Sequence, residues 1–252
     1  MKPSFEPGVV RRIGGRVLDL LYPSVCAVCD EVLRGSRYLC DDCERQLPKL
    51  RAPFCESCGE MFDGKIGGSF SCPNCQGLTF AFEFARPAMV RDERTLEMVH
   101  RLKYGRNVYL GRELGRLAAG AFEDERLTAA LSGKWPLIPV PLHRSRLRWR
   151  HFNQSEEIAR GIARETGLEV LRGMKRVRNT ETQTRLSRRQ RLENLRGAFE
   201  LSWRGRRWLD RRPGGAVLVD DVFTTGSTAN ECAKTLRKAG LKRVVVVTVM
   251  RG

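Results

Sequence analysis

From about Phe80 onward the chain alternates between short apolar runs and apolar positions at helical spacing. In "RDERTLEMVHRLKYG", Leu96, Val99, His100 and Lys103 fall on one face of a helix, and "YLGRELGRLAAGAF" continues as a second amphipathic helix. "WPLIPVP" reads as a strand ended by its prolines. "NQSEEIARGIARETG" is a helix with Asn153 as N-cap, Glu156 at the capping-box position and Gly167 as its stop. A buried strand "AVLVDDV", a helix "GSTANECAKTLRKAG" closed by Gly240 and a last strand "RVVVVTV" complete the pattern. Strand, helix, strand in this order predicts an α/β fold on a parallel sheet with right-handed crossovers.

The first eighty residues follow a different rule. Val17, Leu18, Leu20 and Leu21 can form one face of a short helix, more suited to packing on the body than to a membrane. Beyond them the pattern is set by cysteine, at 26, 29, 40, 43, 55, 58, 72, 75 and 232. The first eight make four C-x-x-C hooks. One hook brings two thiolates to a tetrahedral zinc from a tight turn, and two hooks close a four-sulfur structural site. Disulfides need an oxidising compartment, and a redox motif explains one hook rather than four. Pairing neighbours assigns Cys26, Cys29, Cys40 and Cys43 to one zinc and Cys55, Cys58, Cys72 and Cys75 to a second. Shorter loops favour that arrangement only mildly, so a crossed pairing stays open. Gly59 and Gly77 suit the left-handed turns that point amides at sulfur. With few apolar residues between the hooks, metal binding has to supply the folding free energy of this segment. Two domains are expected: residues 1–79, an N-terminal helix with a double zinc ribbon, and residues 80–252, the α/β body.

Cys232 differs from the hooks, since it lies among helix formers with Leu236 on the same face and reads as a small buried hydrophobe. Only His100, His143 and His151 are present, which argues against a histidine-based hydrolase.

Composition changes the picture in one respect. Lys and Arg number 46 against 29 Asp and Glu, a formal charge of +17, so the surface attracts phosphates, nucleic acid or anionic lipid. The start has no apolar run long enough for a signal peptide, and no run spans a bilayer, so a cytoplasmic protein is expected. Between Arg172 and Arg191 the cations Arg172, Lys175, Arg176, Arg178, Arg185, Arg188, Arg189 and Arg191 face only Glu181. Such a stretch is either a solvated segment or a ligand contact, and it needs an anionic partner to be held in place.

The richest chemistry lies in "VLVDDVFTTGST", residues 217 to 228. In open parallel sheets ligands bind beyond the carboxyl ends of strands, and phosphates favour the N-terminus of the next helix. Thr224, Thr225, Gly226, Ser227 and Thr228 can wrap amides and hydroxyls around one phosphate, with Gly226 permitting close backbone approach. Asp220 and Asp221 stand too near to bind that phosphate, whereas vicinal ribose hydroxyls offer the donors that carboxylates accept. A Walker B pair would need an upstream P-loop, which is absent, and a two-metal nuclease would need further carboxylates.

This stretch resembles the fingerprint of type I phosphoribosyltransferases, which bind phosphoribosyl pyrophosphate. Together with "LLYPSVCAVC", "LIPVPLHRSRLRWRHFNQS" and "RVRNTETQTRLSRRQRLENLRGAF", in that order, the whole chain resembles the ComF family of competence-associated proteins. The resemblance implies a parallel-sheet phosphoribosyltransferase-like domain behind a small four-cysteine zinc-ribbon domain. It implies that Asp220 and Asp221 hold the ribose hydroxyls and that Thr224 to Thr228 hold the 5-phosphate. Pro141, Leu142, His143 and Arg144 would form the pyrophosphate loop, with Arg146, Arg148 and Arg150 adding positive charge. Thr184, Arg185, Leu186, Arg191 and Asn194 would belong to a flexible loop over the substrate. Trp149, His151 and Thr182 depart from the family pattern and bear on loop geometry.

Phosphoribosyl transfer needs positioning and stabilisation of a leaving pyrophosphate more than proton chemistry, so Mg2+ and cationic loops matter more than a general base. The hood over such a site would come from residues 84–132, which carry no base-binding signature, and no acceptor follows from the sequence. Two functions are therefore expected to compete. One is a phosphoribosyltransferase or a related hydrolase, with Mg2+ as cofactor. The other is an accessory protein of DNA uptake that contacts single-stranded DNA and DNA-uptake proteins, with Trp149, Phe152, Trp203 and Trp208 available for stacking wherever they are exposed.

Overall fold

The computed structural model describes residues 24–35, 37–62, 64, 70–179 and 195–252. The helix expected at Val17 to Leu21 and the loop residues Thr182, Thr184, Arg185, Leu186, Arg191 and Asn194 lie outside them. The chain divides into two compact units, Met1–Leu47 and Pro48–Gly252.

In the smaller unit, strand β1 (Ser24–Val25) pairs antiparallel with β2 (Val32–Leu33), and a short helix α1 (Asp41–Arg45) follows. Cys40 caps α1, its Sγ accepting from the backbone N of Cys43. Arg37 holds Asp41 at 2.5 Å and also reaches Glu44, so the segment is tied by charge where it has little apolar surface to bury. Leu39 and Leu47 are its buried aliphatics.

The larger unit is built on a four-stranded sheet of β3 (Ala85–Met89), β4 (Leu137–Pro139), β7 (Ala216–Phe223) and β8 (Val244–Arg251). Their order across the sheet is β3-β8-β7-β4, every neighbouring pair parallel. Strands β4, β7 and β8 are the three expected from apolar runs. All eight residues of β8 are buried, as in a strand covered on both faces. Strand β3, "ARPAM", was not legible, because Pro87 removes an amide and alanine is a poor strand former. It holds its place through register with β8 and through its outer neighbours: Leu50 N donates to Ala88 O at 2.9 Å and Val90 N to Pro48 O at 2.9 Å. Those contacts cover a sheet edge that would otherwise expose unpaired backbone.

Helices α2 (Glu93–Tyr104) and α3 (Tyr109–Ala119) follow β3, then a short α4 (Thr128–Ser132). After β4 come α5 (Arg144–Arg150) and α6 (Gln154–Thr166). Asp92 caps α2 and sets its phase, so Thr95, Met98, Val99 and Leu102 form the buried face. That corrects the expected face by about one position: His100 is exposed and Lys103 turns toward the sheet end. Helices α3 and α6 pack closely through small residues, and a Cβ on Gly161 would lie 2.6 Å from Arg112 O and 2.7 Å from Gly115 Cα.

A two-stranded antiparallel hairpin, β5 (Met174–Arg176) with β6 (Phe199–Leu201), then α7 (Trp203–Leu209), precedes β7. Helix α8 (Ser227–Lys238) joins β7 to β8. Cys232 is fully buried on α8 with Ala233 and Leu236, as expected, and burial pushes its thiol well up. The same apolar cluster contains Phe199, Ile138, Leu218 and the second cysteine quartet with Phe82 and Phe223. The second cysteine quartet thus shares the core of the Pro48–Gly252 unit.

Candidate functional site

The cysteine hooks pair as neighbours. Cys26, Cys29, Cys40 and Cys43 bring their sulfurs within 4.8 Å of one another, and so do Cys55, Cys58, Cys72 and Cys75. The close pairs, Cys29 with Cys40 at 3.7 Å and Cys58 with Cys72 at 3.6 Å, are far longer than a disulfide. Backbone amides point at the sulfurs, Cys40 N to Cys26 at 3.4 Å and Cys72 N to Cys55 at 3.3 Å. Burial pushes Cys75 up to about 11, and a dication would draw it to thiolate. Two closed four-sulfur sets with outer-sphere amide donors fit structural zinc.

At the other chemistry, the side chains of β7 alternate. Ala216 and Leu218 join the core beneath α8, so Asp220 follows them to that face and Asp221 goes to the opposite one. Asp220 shares a cavity of about 40 Å3 with Thr224, Thr225, Gly226, Ser227, Thr228 and Thr248. Its Oδ1 accepts from Ser155 Oγ at 2.9 Å and from the Asp221 amide at 3.0 Å. Burial and the neighbouring Asp221 charge push its carboxyl up to about 8.

The turn after β7 is held open by its own residues. Gly226 adopts φ 75° as N-cap of α8, and a Cβ there would lie 2.6 Å from the Phe223 ring. Thr225 Oγ1 and Ser227 Oγ lie 2.8 Å apart. The first turn of α8 thus aims backbone donors and hydroxyls into the cavity beside Asp220. Arg251, buried at the end of β8, donates to Phe223 O at 2.8 Å and Thr224 O at 2.9 Å, and pairs with Glu60 at 2.5 Å beside the second cysteine quartet. Lys103, Gln154, Ser155, Thr248 and Arg251 were not foreseen as site residues. The only signal for two of them was the quoted block ending "FNQS".

Asp221 is 5% exposed and does not face that cavity. It pairs with Lys103 of α2 and accepts from Gln154 Nε2 at 3.4 Å. Burial pushes its carboxyl up, but Lys103 outweighs this and the net direction is down. Gln154 in turn accepts from Arg150 at 2.6 Å. Arg150 is thereby a buried cation tied to Gln154, and burial lowers its pKa.

Leu142, His143 and Arg144 line a second, larger cleft of about 930 Å3 with Asn153, Arg172, Lys175 and Arg176. His143 caps α5, its Nδ1 2.8 Å from Ser145 Oγ. The structure thus puts the acid and turn residues in one cavity and the 142–144 residues in another. The basic stretch is partly neutralised from within: Arg172 Nε donates to Glu156 at 2.8 Å, and Lys175 pairs with Glu200 at 3.0 Å. Glu156 consequently binds Arg160 and Arg172 in place of the expected capping box, while Asn153 caps α6 as expected.

Comparison with known proteins finds a domain family for the cysteine-rich segment and relatives that match most of the chain. The double zinc ribbon domain family matches residues 17–76. "Competence protein F" of Haemophilus influenzae is 31% identical over 213 residues, covering 82% of this chain and 88% of that protein. The chain belongs to the ComF family. A further relative, "DNA utilization protein YhgH" of Escherichia coli, is 30% identical over 237 residues, covering 93% of each. "Competence protein ComFC" of Streptococcus pneumoniae is 25% identical over 220 residues, 84% of this chain and 87% of that one. In this ComF-family chain the ribbon match spans both cysteine quartets. No helix among the described residues is long and apolar enough to cross a membrane.

Proposed function

We propose that this ComF-family chain binds phosphoribosyl pyrophosphate with Mg2+ at Asp220 and the Thr224 to Thr228 turn, as a type I phosphoribosyltransferase-type protein working in DNA uptake on the cytoplasmic side. The observation that carries the reading is the shared cavity: one partly exposed carboxylate and a hydroxyl-rich helix N-terminus meet at the carboxyl end of a central parallel strand. The turn and α8 amides would hold the 5-phosphate, and Asp220 would accept from ribose hydroxyls. Asp221 would act through its ion pair with Lys103, fixing the end of β7. Bound Mg2+ would supply charge neutralisation for a pyrophosphate leaving group, and Arg144, which lines the larger cleft, would add positive charge. The place in DNA uptake rests on the names of the relatives.

A second reading, contact with single-stranded DNA, is favoured by a formal charge of +17 and by Trp149 and Trp203, 55% and 61% exposed, among arginines. Thermal melting with phosphoribosyl pyrophosphate and Mg2+ separates the two. Ligand should raise the melting temperature by mass action and do so in moderate salt, and Asp220→Asn should remove the rise. Binding of oligonucleotide should fall steeply with salt and survive that substitution. A flat melting response across a wide ligand range overturns the first reading.

A further inference from the structure

Two aromatic side chains stand out of the surface beside the acid pair. Tyr104, the last residue of α2, is 63% exposed, and Trp149, near the end of α5, is 55% exposed. A single exposed ring is ordinary, but these two come from different elements and meet, with centroids 6.2 Å apart at 59°. Their positions are fixed from several directions. Arg106 donates to the Trp149 carbonyl at 3.1 Å, the Arg150 guanidinium lies 5.6 Å from the Tyr104 ring, and His100 meets that ring edge-on at 5.9 Å. Arg106 and His151, each two residues beyond one of the rings, adopt φ 57° and φ 69°, left-handed conformations that ordinary side chains avoid.

The surroundings are basic: Arg106, Arg148 and His151 are exposed next to the rings. The pair is also joined to the acid end of β7. Arg150 touches both Tyr104 and Gln154, Gln154 donates to Asp221, and Lys103 precedes Tyr104 in the same helix. Aromatic faces beside cations are what unpaired bases and their phosphates require, since every base offers a π-face and every linkage a negative charge.

We propose that Tyr104 and Trp149 form a stacking platform for an unpaired nucleobase. The inference rests on the second reading above and gives it a location. The base can belong to single-stranded DNA or to a free nucleotide, and the two sources are separated by the probes used.

The test uses the full zinc-loaded chain, a labelled oligothymidylate followed by anisotropy at low salt, and free thymidine monophosphate followed by tryptophan emission. Trp149→Ala and Tyr104→Ala should each weaken oligothymidylate binding about tenfold. Trp149→Phe should retain affinity but lose the emission quenching that stacking produces. Leu78→Ala, at an exposed apolar position elsewhere, should bind like the parent, and melting temperatures of these surface variants should stay near the parent value. Quenching by the mononucleotide without oligonucleotide binding keeps the platform for a free nucleotide and removes the DNA reading. The proposal is overturned when the Tyr104 and Trp149 variants bind as the parent does, when loss appears only in Leu78→Ala, or when neither probe quenches Trp149.

Discussion

Asp220 and Asp221 are adjacent in sequence and opposite in role, because side chains alternate across a strand. Asp221 and Lys103 neutralise each other where neither is well solvated, so Asp221→Asn leaves a largely buried ammonium unpaired. A loss of about 3 kcal/mol is expected in denaturant melts, whatever ligand is present. Asp220 behaves in the other sense. Its pKa is raised from 3.8 to about 8, so its proton stabilises the fold at low pH and that contribution is lost as pH climbs through this range. Asp220→Asn should therefore melt above the parent near pH 9, with the gap closing toward pH 4. A gap that widens on acidification would contradict the assignment. The vicinal acids were readable as a ligand signal, but their division was not, since the partner of Asp221 comes from a helix more than a hundred residues earlier.

Among the elements, the turn between β7 and α8 is shaped from two directions. Gly226 supplies the left-handed residue, and Arg251 fastens the carbonyls of Phe223 and Thr224 where the turn begins. Gly226→Ala combines backbone strain with a clash on the Phe223 ring and should cost at least about 1 kcal/mol. Arg251→Ala frees two carbonyls that are otherwise held and should cost about 2 kcal/mol. Both should weaken phosphoribosyl pyrophosphate binding beyond their effect on melting, whereas Glu60→Gln should affect it less. Equal ligand affinity in all three would separate the turn from the site. The glycine was legible because glycine takes a left-handed position without the steric cost that other side chains meet there. Arg251 was not, since an arginine after a valine run carries no sign of what it will touch. The phase of α2 was misplaced for a related reason: apolar spacing allows neighbouring faces, and the Asp92 cap decides between them.

For the whole molecule, the cysteines predict two zinc ions per folded chain by metal analysis. Their removal should have unequal consequences. Strong chelation is expected to lower the melting temperature of the Pro48–Gly252 unit itself, because Cys55, Cys58, Cys72 and Cys75 lie in one apolar cluster with Phe82, Phe223 and Cys232. Cysteine substitution confined to the Cys26 to Cys43 quartet should leave that transition in place. An unchanged melt after removal of the second zinc would show that the cluster stands without it.

By itself the sequence determined what local chemistry dictates. The hooks specified metal, the valine runs specified strands covered on both faces, and the glycine and hydroxyl stretch specified a helix start suited to phosphate. Each rests on a property that a few neighbouring residues own. Only the tertiary structure decided which residues separated in sequence would meet: Lys103 with Asp221, Ser155 with Asp220, Arg172 with Glu156, and Arg251 with the opening of the turn. It also decided that the second ribbon belongs to the core of the body. Charges and buried faces act through space, and a linear pattern does not encode which partner will be within reach.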